Sequence, residues 1–282
     1  MKKRKQYNSA PLPFQGQKRR FAREFAKVLR HFPDDAVFVD LFGGSGLLSH
    51  ITKCQKPNAT VVYNDFDGYR QRLAHVAETN ELLAQLRVIL KDVPHHKLVP
   101  AGTKELAIKC IEKHEARYGY VDYITLSSSL MFSAEYATSL NGIAKESMYN
   151  RVRKVDYSTG EDYLGGLTVV SEDYKELFEQ YKNVPNVVFL ADPPYLNTEA
   201  DSYKMTWRLN DYLDVLLVLL KNSFIFFTSN KSSVVELCEW LARNGGMPNP
   251  FERCDKVELD ALLNHHASYT DIMYYTTLHY TF

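Results

Sequence analysis

The chain has 282 residues, enough for one domain with a large insertion or for two domains. Hydrophobic residues make up 45% and charged residues 24%, ordinary for a globular enzyme, and no apolar run is long enough to cross a bilayer. With 34 basic and 34 acidic residues the formal net charge is zero, which excludes a globally basic nucleic-acid binder. The charge is nevertheless uneven. Lys2, Lys3, Arg4, Lys5, Lys18, Arg19, Arg20 and Arg23 all precede the first acidic residue, Glu24. Such a run can neutralise phosphates or simply form a solvated tail, and charge alone does not decide between them. It has no apolar stretch behind it, so a signal peptide is not expected. Cys54, Cys110, Cys238 and Cys254 are scattered without zinc spacing, so the expectation is a cytoplasmic protein with no metal.

A first helix is predicted over Lys18 to His31, followed by a strand Val37-Phe38-Val39-Asp40-Leu41 that runs into glycines. A helix over Ser45 to Lys53 and a strand Thr60-Val61-Val62-Tyr63 come next. The strand–helix alternation then stops between about Gly68 and Gly166. Leu73, Val76, Leu83, Leu86 and Leu90 recur at helical spacing, Leu106 to Tyr118 reads as a second amphipathic helix and Tyr120 to Tyr136 as a third. Arg151 to Gly160 reads as a charged strand and turn, giving a hairpin near 151–165. Alternation resumes with a strand Leu167 to Val170, a helix Tyr174 to Lys182, a strand Val187 to Ala191, a helix Asp211 to Lys221 and a strand Ser223 to Phe227. Lys256 to Leu259 and Ile272 to Thr276 are predicted to pair antiparallel at one sheet edge. The strands are near-continuously apolar, as expected when helices cover both faces. The fold class is therefore α/β, a doubly wound, mainly parallel sheet. Its expected domains are 1–68 with 166–282 for the sheet, and 69–165 for an inserted helical domain.

Three turns carry chemistry. Asp40-Leu41-Phe42-Gly43-Gly44-Ser45-Gly46 follows a buried strand and opens a helix, where glycines admit a close ligand and unpaired N–H groups face it. It is neither a dinucleotide fingerprint nor a phosphate loop, and a purely structural tight turn is the plain alternative. Asn64-Asp65 ends the next strand, where a carboxylate can accept both ribose hydroxyl hydrogens or, more simply, cap a helix. Ala191-Asp192-Pro193-Pro194-Tyr195 follows another buried strand. Its prolines stiffen the turn, a carboxylate and a carbonyl can accept the two hydrogens of an amine, and an aromatic can stack on a base.

Asp192-Pro193-Pro194-Tyr195 matches the D-P-P-Y of amino-methyltransferases that act on DNA, and Phe42-Gly43-Gly44-Ser45-Gly46 matches their F-x-G-x-G motif. The motif order, with a long insert between the two, resembles the alpha group, the Dam-like D12 class of DNA adenine N6-methyltransferases. Phe14-Gln15-Gly16-Gln17-Lys18 is similar to the family's N-terminal segment, with Phe14 where tryptophan is frequent, and Thr228-Ser229-Asn230 is similar to its strand ending in Ser-Asn. The resemblance covers most of the chain outside the insert and implies a Rossmann-like methyltransferase using S-adenosylmethionine, released as S-adenosylhomocysteine. By this resemblance Phe14, Gly16 and Lys18 lie against the cofactor, with Lys18 near its carboxylate or Asp192. Asp40, Phe42, Gly43, Gly44, Ser45 and Gly46 shape the methionine end, Asp65 holds the ribose, and Asp173 reaches the adenine edge. Asp192, Pro193 and Pro194 present the amine acceptors, and Tyr195 stacks on a flipped adenine.

The insert is the expected target-recognition element, with Arg151, Arg153 and Lys154 reading or gripping DNA, or forming a merely exposed charged hairpin. No recognition sequence follows from it. The implied partners are double-stranded DNA and, in a restriction-modification setting, a cognate endonuclease. A monomer suffices for the chemistry, no membrane is involved, and the place of work is the cytoplasm at the nucleoid. Rival readings are methylation of cytosine N4, an RNA base or a protein glutamine, and a catalytically silent DNA-binding protein. The adjacent pairs His95-His96 and His265-His266 have poor geometry for one metal and read as surface or core residues.

Overall fold

The computed structural model describes residues 5–132, 135–194, 208–264 and 267–277. The chain folds into two compact units, one of Met1–Ser9, Gln17–Asp67 and Leu164–Phe282, the other of Ala10–Gly16 and Gly68–Tyr163.

The first unit is built on a seven-stranded sheet. Its strands are β1 (Val37–Asp40), β2 (Thr60–Asn64), β3 (Thr168–Val170), β4 (Val187–Ala191), β5 (Ser223–Ser229), β6 (Asp255–Asn264) and β7 (Ala267–Thr276). They lie in the order β3-β2-β1-β4-β5-β7-β6. The pairs among β1 to β5 are parallel. β7 runs antiparallel to both β5 and β6, so the expected edge pair is present. The near-continuous apolar strands have the anticipated cause. Phe38, Val61, Val188, Leu190, Ile225 and Phe227 enter one buried cluster, and their neighbours Val39, Val62, Phe189, Ala191, Phe224 and Phe226 enter another. Alternate residues point to opposite faces, and both faces are dry.

Helices α1 (Ala22–Val28) and α2 (Leu47–Gln55) fill the first cluster, with a 3-10 turn at Leu29–His31 continuing α1. Helices α8 (Tyr174–Tyr181), α9 (Leu209–Leu219) and α10 (Val234–Gly245) belong to the second. The first helix starts four residues later than expected, because Lys18 to Phe21 form a turn closed by the Phe21 N–H donating to the Lys18 carbonyl. Helix α10 is not among the predicted elements. Only Val234 and Cys238 of it are buried, too sparse a pattern to stand out.

The second unit is helical: α3 (Tyr69–Ala74), α4 (Val76–Ile89), α5 (Ala101–Tyr118), α6 (Tyr123–Leu130) and α7 (Leu140–Lys145). The expected first helix is broken at His75, which leaves helical geometry with φ −107° and ψ 21°. The third is shorter than expected, opened by Asp122 accepting from the Thr125 N–H and ended by extended Met131. Ala10–Gly16 belongs to this unit although it precedes β1. The Tyr69 hydroxyl accepts from the Leu12 N–H, and the guanidinium of Arg72 donates to the Pro13 carbonyl at 2.7 Å. Arg72 also pairs with Asp122 at 3.0 Å, both nearly inaccessible to solvent.

The charged hairpin expected near 151–165 is absent: no strand forms there. Side chains of α4 take the place of a second strand. Asn80 donates to the Tyr157 carbonyl and accepts from the Tyr157 N–H, and Arg87 donates to the Arg153 carbonyl. With those backbone groups satisfied by side chains, no ladder is needed.

Candidate active site

The parallel strands deliver their turns to one edge of the sheet. Asp40, the last residue of β1, lies opposite Tyr63 of β2 and Leu190 of β4, so the residues after each strand emerge side by side. The glycine turn needs its glycines for two separate reasons. Gly44 and Gly46 have φ of 47° and 69°, the left-handed region that costs a side-chain-bearing residue energy. Gly43 instead lies against Tyr63, where a Cβ would fall 2.3 Å from the ring. The Tyr63 hydroxyl is 2.8 Å from the Gly44 carbonyl and 3.0 Å from the Asp65 carboxylate, two acceptors sharing one proton. This tyrosine, which the sequence did not single out, thus sets both the turn and Asp65.

Asp40 is fully buried. Its Oδ2 accepts from the Ser49 hydroxyl of α2 at 2.7 Å, and among the described residues its Oδ1 has no hydrogen-bond partner. Burial pushes its carboxyl up to about 7, the Ser49 hydrogen bond opposes that rise, and the nearby charge of Asp192 adds to it. Asp192 follows β4 directly, and its Oδ2 is 2.6 Å from Lys18 Nζ, with side-chain exposures of 17% and 11%. Burial raises the Asp192 carboxyl, and Lys18 opposes that through both its charge and its hydrogen bond. The Lys18 ammonium lies 5.9 Å from the centre of the Phe227 ring. Pro193 is buried and Pro194 half-buried.

Asn64 joins three turns. Its amide donates to the carbonyls of Leu41 and Glu172, and its oxygen accepts from the Glu172 N–H at 3.0 Å. Asp173, next in the chain, is exposed and caps α8 by accepting from the Lys175 N–H. Phe42 packs against Tyr174, ring centres 5.2 Å apart. Ser45 is buried within the turn.

Lys18, Asp40, Phe42, Gly43, Gly44, Ser45, Gly46, Asp65, Asp173, Asp192, Pro193 and Pro194 therefore all belong to the sheet unit. Phe14 and Gly16 belong to the helical unit, Phe14 edge-on to Tyr69 with ring centres 6.0 Å apart and Gly16 at φ 74°. Tyr195 lies outside the described residues. In the helical unit Arg151 is half-buried and donates to the Met131 carbonyl, Arg153 is exposed and stacks on Tyr157 at 4.2 Å, and Lys154 is exposed. His95 and His96 stack edge-on with ring centres 4.0 Å apart, and His265-His266 lies outside the described residues. Among the described residues no helix is long and apolar enough to cross a membrane, and no group of three metal-ligating side chains occurs.

Comparison with known proteins agrees with this architecture. The family model of the D12 class N6 adenine-specific DNA methyltransferases matches residues 14–214. A protein of Haemophilus influenzae described as "Putative methyltransferase" is 38% identical over 284 residues, covering 98% of this chain and 94% of that protein. A mostly parallel, helix-covered sheet and a family match that takes in its glycine turn, Asp65 and Asp192 place the chain in the D12 class of N6 adenine-specific DNA methyltransferases.

Proposed function

We propose that the protein methylates the exocyclic N6 amine of adenine in duplex DNA, with S-adenosylmethionine as donor. The observation that carries this reading is Asp192, a carboxylate fixed by Lys18 at the end of β4 and followed by two prolines beside the glycine turn. The residues present suit that donor. Asp40 presents a buried oxygen with no protein partner among the described residues, the left-handed Gly44 and Gly46 leave the turn without side chains, and Asp65 is positioned by Tyr63 at the end of β2. A cationic amino acid end matches Asp40, and a ribose matches Asp65. When bound, S-adenosylmethionine supplies an activated methyl group.

The work left to the protein is to prepare a poor nucleophile. An aromatic amine delocalises its lone pair into the ring. Asp192 and the Pro193 carbonyl accept its two hydrogens, draw the nitrogen toward tetrahedral geometry and stabilise the positive charge that grows on it. Lys18 helps hold Asp192 ionised for this role. Tyr195 stacks on the base, which must leave the helix because its amine is paired there. Lys18 lines the cofactor, and Asp173 contacts its adenine edge in addition to capping α8. Exposed Arg153 and Lys154 on the loop of the helical unit grip DNA, and Arg151 shapes that loop. The sheet unit is thus the catalytic domain and the helical unit the target-recognition domain. The enzyme acts as a cytoplasmic monomer on nucleoid DNA, and a cognate restriction endonuclease is its natural counterpart.

The test is methyl transfer from labelled cofactor to unmethylated genomic DNA, analysed as nucleosides. Wild type is expected to produce 6-methyladenine, and Asp192→Ala to produce none while still binding the cofactor. Label in 4-methylcytosine, in RNA or in protein would overturn the choice of substrate. Retained transfer by Asp192→Ala would overturn the role of the carboxylate.

A further inference from the structure

Lys18 presents a difficulty for the chemistry just described. Its ammonium occupies Asp192 Oδ2 at 2.6 Å, on the carboxylate that must accept an amine hydrogen. An arriving amine does better if the ammonium has a second carboxylate to lean on. One is at hand on the antiparallel strand β7. Asp271 lies opposite Ser229, at the same end of β5 that adjoins the end of β4, where Ala191 lies opposite Phe226. Asn230 fixes that register one step further: its N–H donates to the Thr270 carbonyl, and its side-chain oxygen accepts from the Thr270 N–H, both at 3.0 Å. The Asp271 side chain is 15% exposed, and its Oδ2 is 3.5 Å from a guanidinium nitrogen of Arg20. Lys18, lying over Phe227 on the intervening strand, stabilises the charged forms of both aspartates, while the charge of Asp271 raises the Asp192 carboxyl.

We propose that Asp271 is a positioning residue for Asp192, a second counter-ion that draws the Lys18 ammonium aside when the target amine presents its hydrogens. This rests on the amine-accepting role proposed for Asp192. The charged groups around the pair come from every neighbouring element. Lys18 and Arg20 precede α1, Asp40 ends β1, Lys231 follows β5, and Asp260 and Tyr269 lie on the edge hairpin. Burial raises the Asp271 carboxyl, and the charges of Lys18, Arg20 and Lys231 oppose that rise, so the same ammonium serves both carboxylates. No bond is made or broken; one ammonium redistributes between two carboxylates.

The experiment uses the full chain and two readouts. In single-turnover methylation, Asp271→Asn is expected to slow the plateau rate about tenfold with cofactor affinity unchanged, since Lys18 then stays on Asp192. The acid limb of its pH profile is expected to move to lower pH, because a negative neighbour of Asp192 has gone. Asp271→Glu, which keeps the charge, is expected to restore the rate. In the unliganded protein, carboxyl-13C aspartate NMR follows the Asp192 titration directly, with its signal identified by Asp192→Asn. That titration is expected to move down in Asp271→Asn, whether or not DNA is the substrate. An unchanged Asp192 titration, or an unchanged plateau rate and limb in Asp271→Asn, would overturn the proposal. Wild type that fails to methylate DNA would instead overturn the function proposed above, leaving the NMR measurement to decide the coupling by itself.

Discussion

A carboxyl buried beside another carboxyl resists ionisation, and Asp40 is in that position, raised to about 7 while Asp192 lies nearby. In the unfolded chain the same group ionises near its ordinary value of about 3.9. The folded state therefore holds a proton that the unfolded state has lost. This contribution favours folding at acid pH and is lost as pH rises from about 4 toward about 7. The melting temperature of the unliganded protein should fall over that interval, and fall less in Asp40→Asn. Identical pH profiles for the two would show that Asp40 does not titrate there. A cationic ligand placed against Asp40 should also expel its proton, so cofactor binding near pH 6.5 should release protons, visible in calorimetry as a heat that depends on the buffer. Gly43→Ala is a sharper test of packing, since the new Cβ meets the Tyr63 ring at 2.3 Å. Overpacking of that kind costs on the order of 1–3 kcal/mol and should disturb Asp65 through Tyr63, lowering both denaturation midpoint and cofactor affinity. Asp40, Asp65 and Asp192 were legible in the sequence because each ends an apolar run at a turn. Tyr63, Ser49 and Asp271 were not, because strand register sets Tyr63 against the glycine turn and Asp271 opposite Ser229, and helix packing brings Ser49 to Asp40.

At the scale of elements, the site rests on Asn64 as much as on any strand. Its side chain holds the ends of β1 and β2 and the residue preceding the α8 cap, with Asn64 itself almost inaccessible. Asn64→Ala leaves two carbonyls and an N–H without their partner. A loss of about 2–4 kcal/mol follows from the cost of unsatisfied buried groups, and the urea midpoint should drop accordingly. A midpoint within error of wild type would mean that water replaces the amide. Strands β1, β2, β4 and β5 could be read because both of their faces are apolar, a pattern with few competing explanations. The loop at 151–165 misleads for a physical reason. Alternating charged and apolar residues do resemble a strand, but the partners that satisfy its backbone, Asn80 and Arg87, sit far away in sequence on a helix.

At the scale of the whole molecule, the two units offer separate handles. Trp240, on α10, belongs to the sheet unit. Arg72→Ala strands the buried carboxylate of Asp122 in the helical unit and removes the tie to Pro13. Breaking a buried pair from one side costs about 3–5 kcal/mol. The helical signal in far-UV circular dichroism should then be lost in part at lower denaturant, while tryptophan fluorescence keeps its midpoint. If both signals moved together, the units would unfold as one. The helices from Tyr69 to Lys145 announce themselves in the sequence as a break in strand–helix alternation. The membership of Ala10–Gly16 was not, since its hold on Tyr69 and Arg72 is made by backbone groups that any sequence possesses.

The strand order carries a consequence for how the protein is made. β1 leaves the ribosome early, yet one of its two neighbours in the sheet is β4, which appears only after the whole helical unit has been synthesised. Lys18 precedes β1 and Asp192 follows β4, so these two charges cannot meet until that late strand slots in beside β1. A nascent chain halted between β2 and β4 already holds the glycine turn and Asp65, but lacks Asp192. The Lys18–Asp192 pair is therefore completed late in translation, with the closing of the sheet's centre.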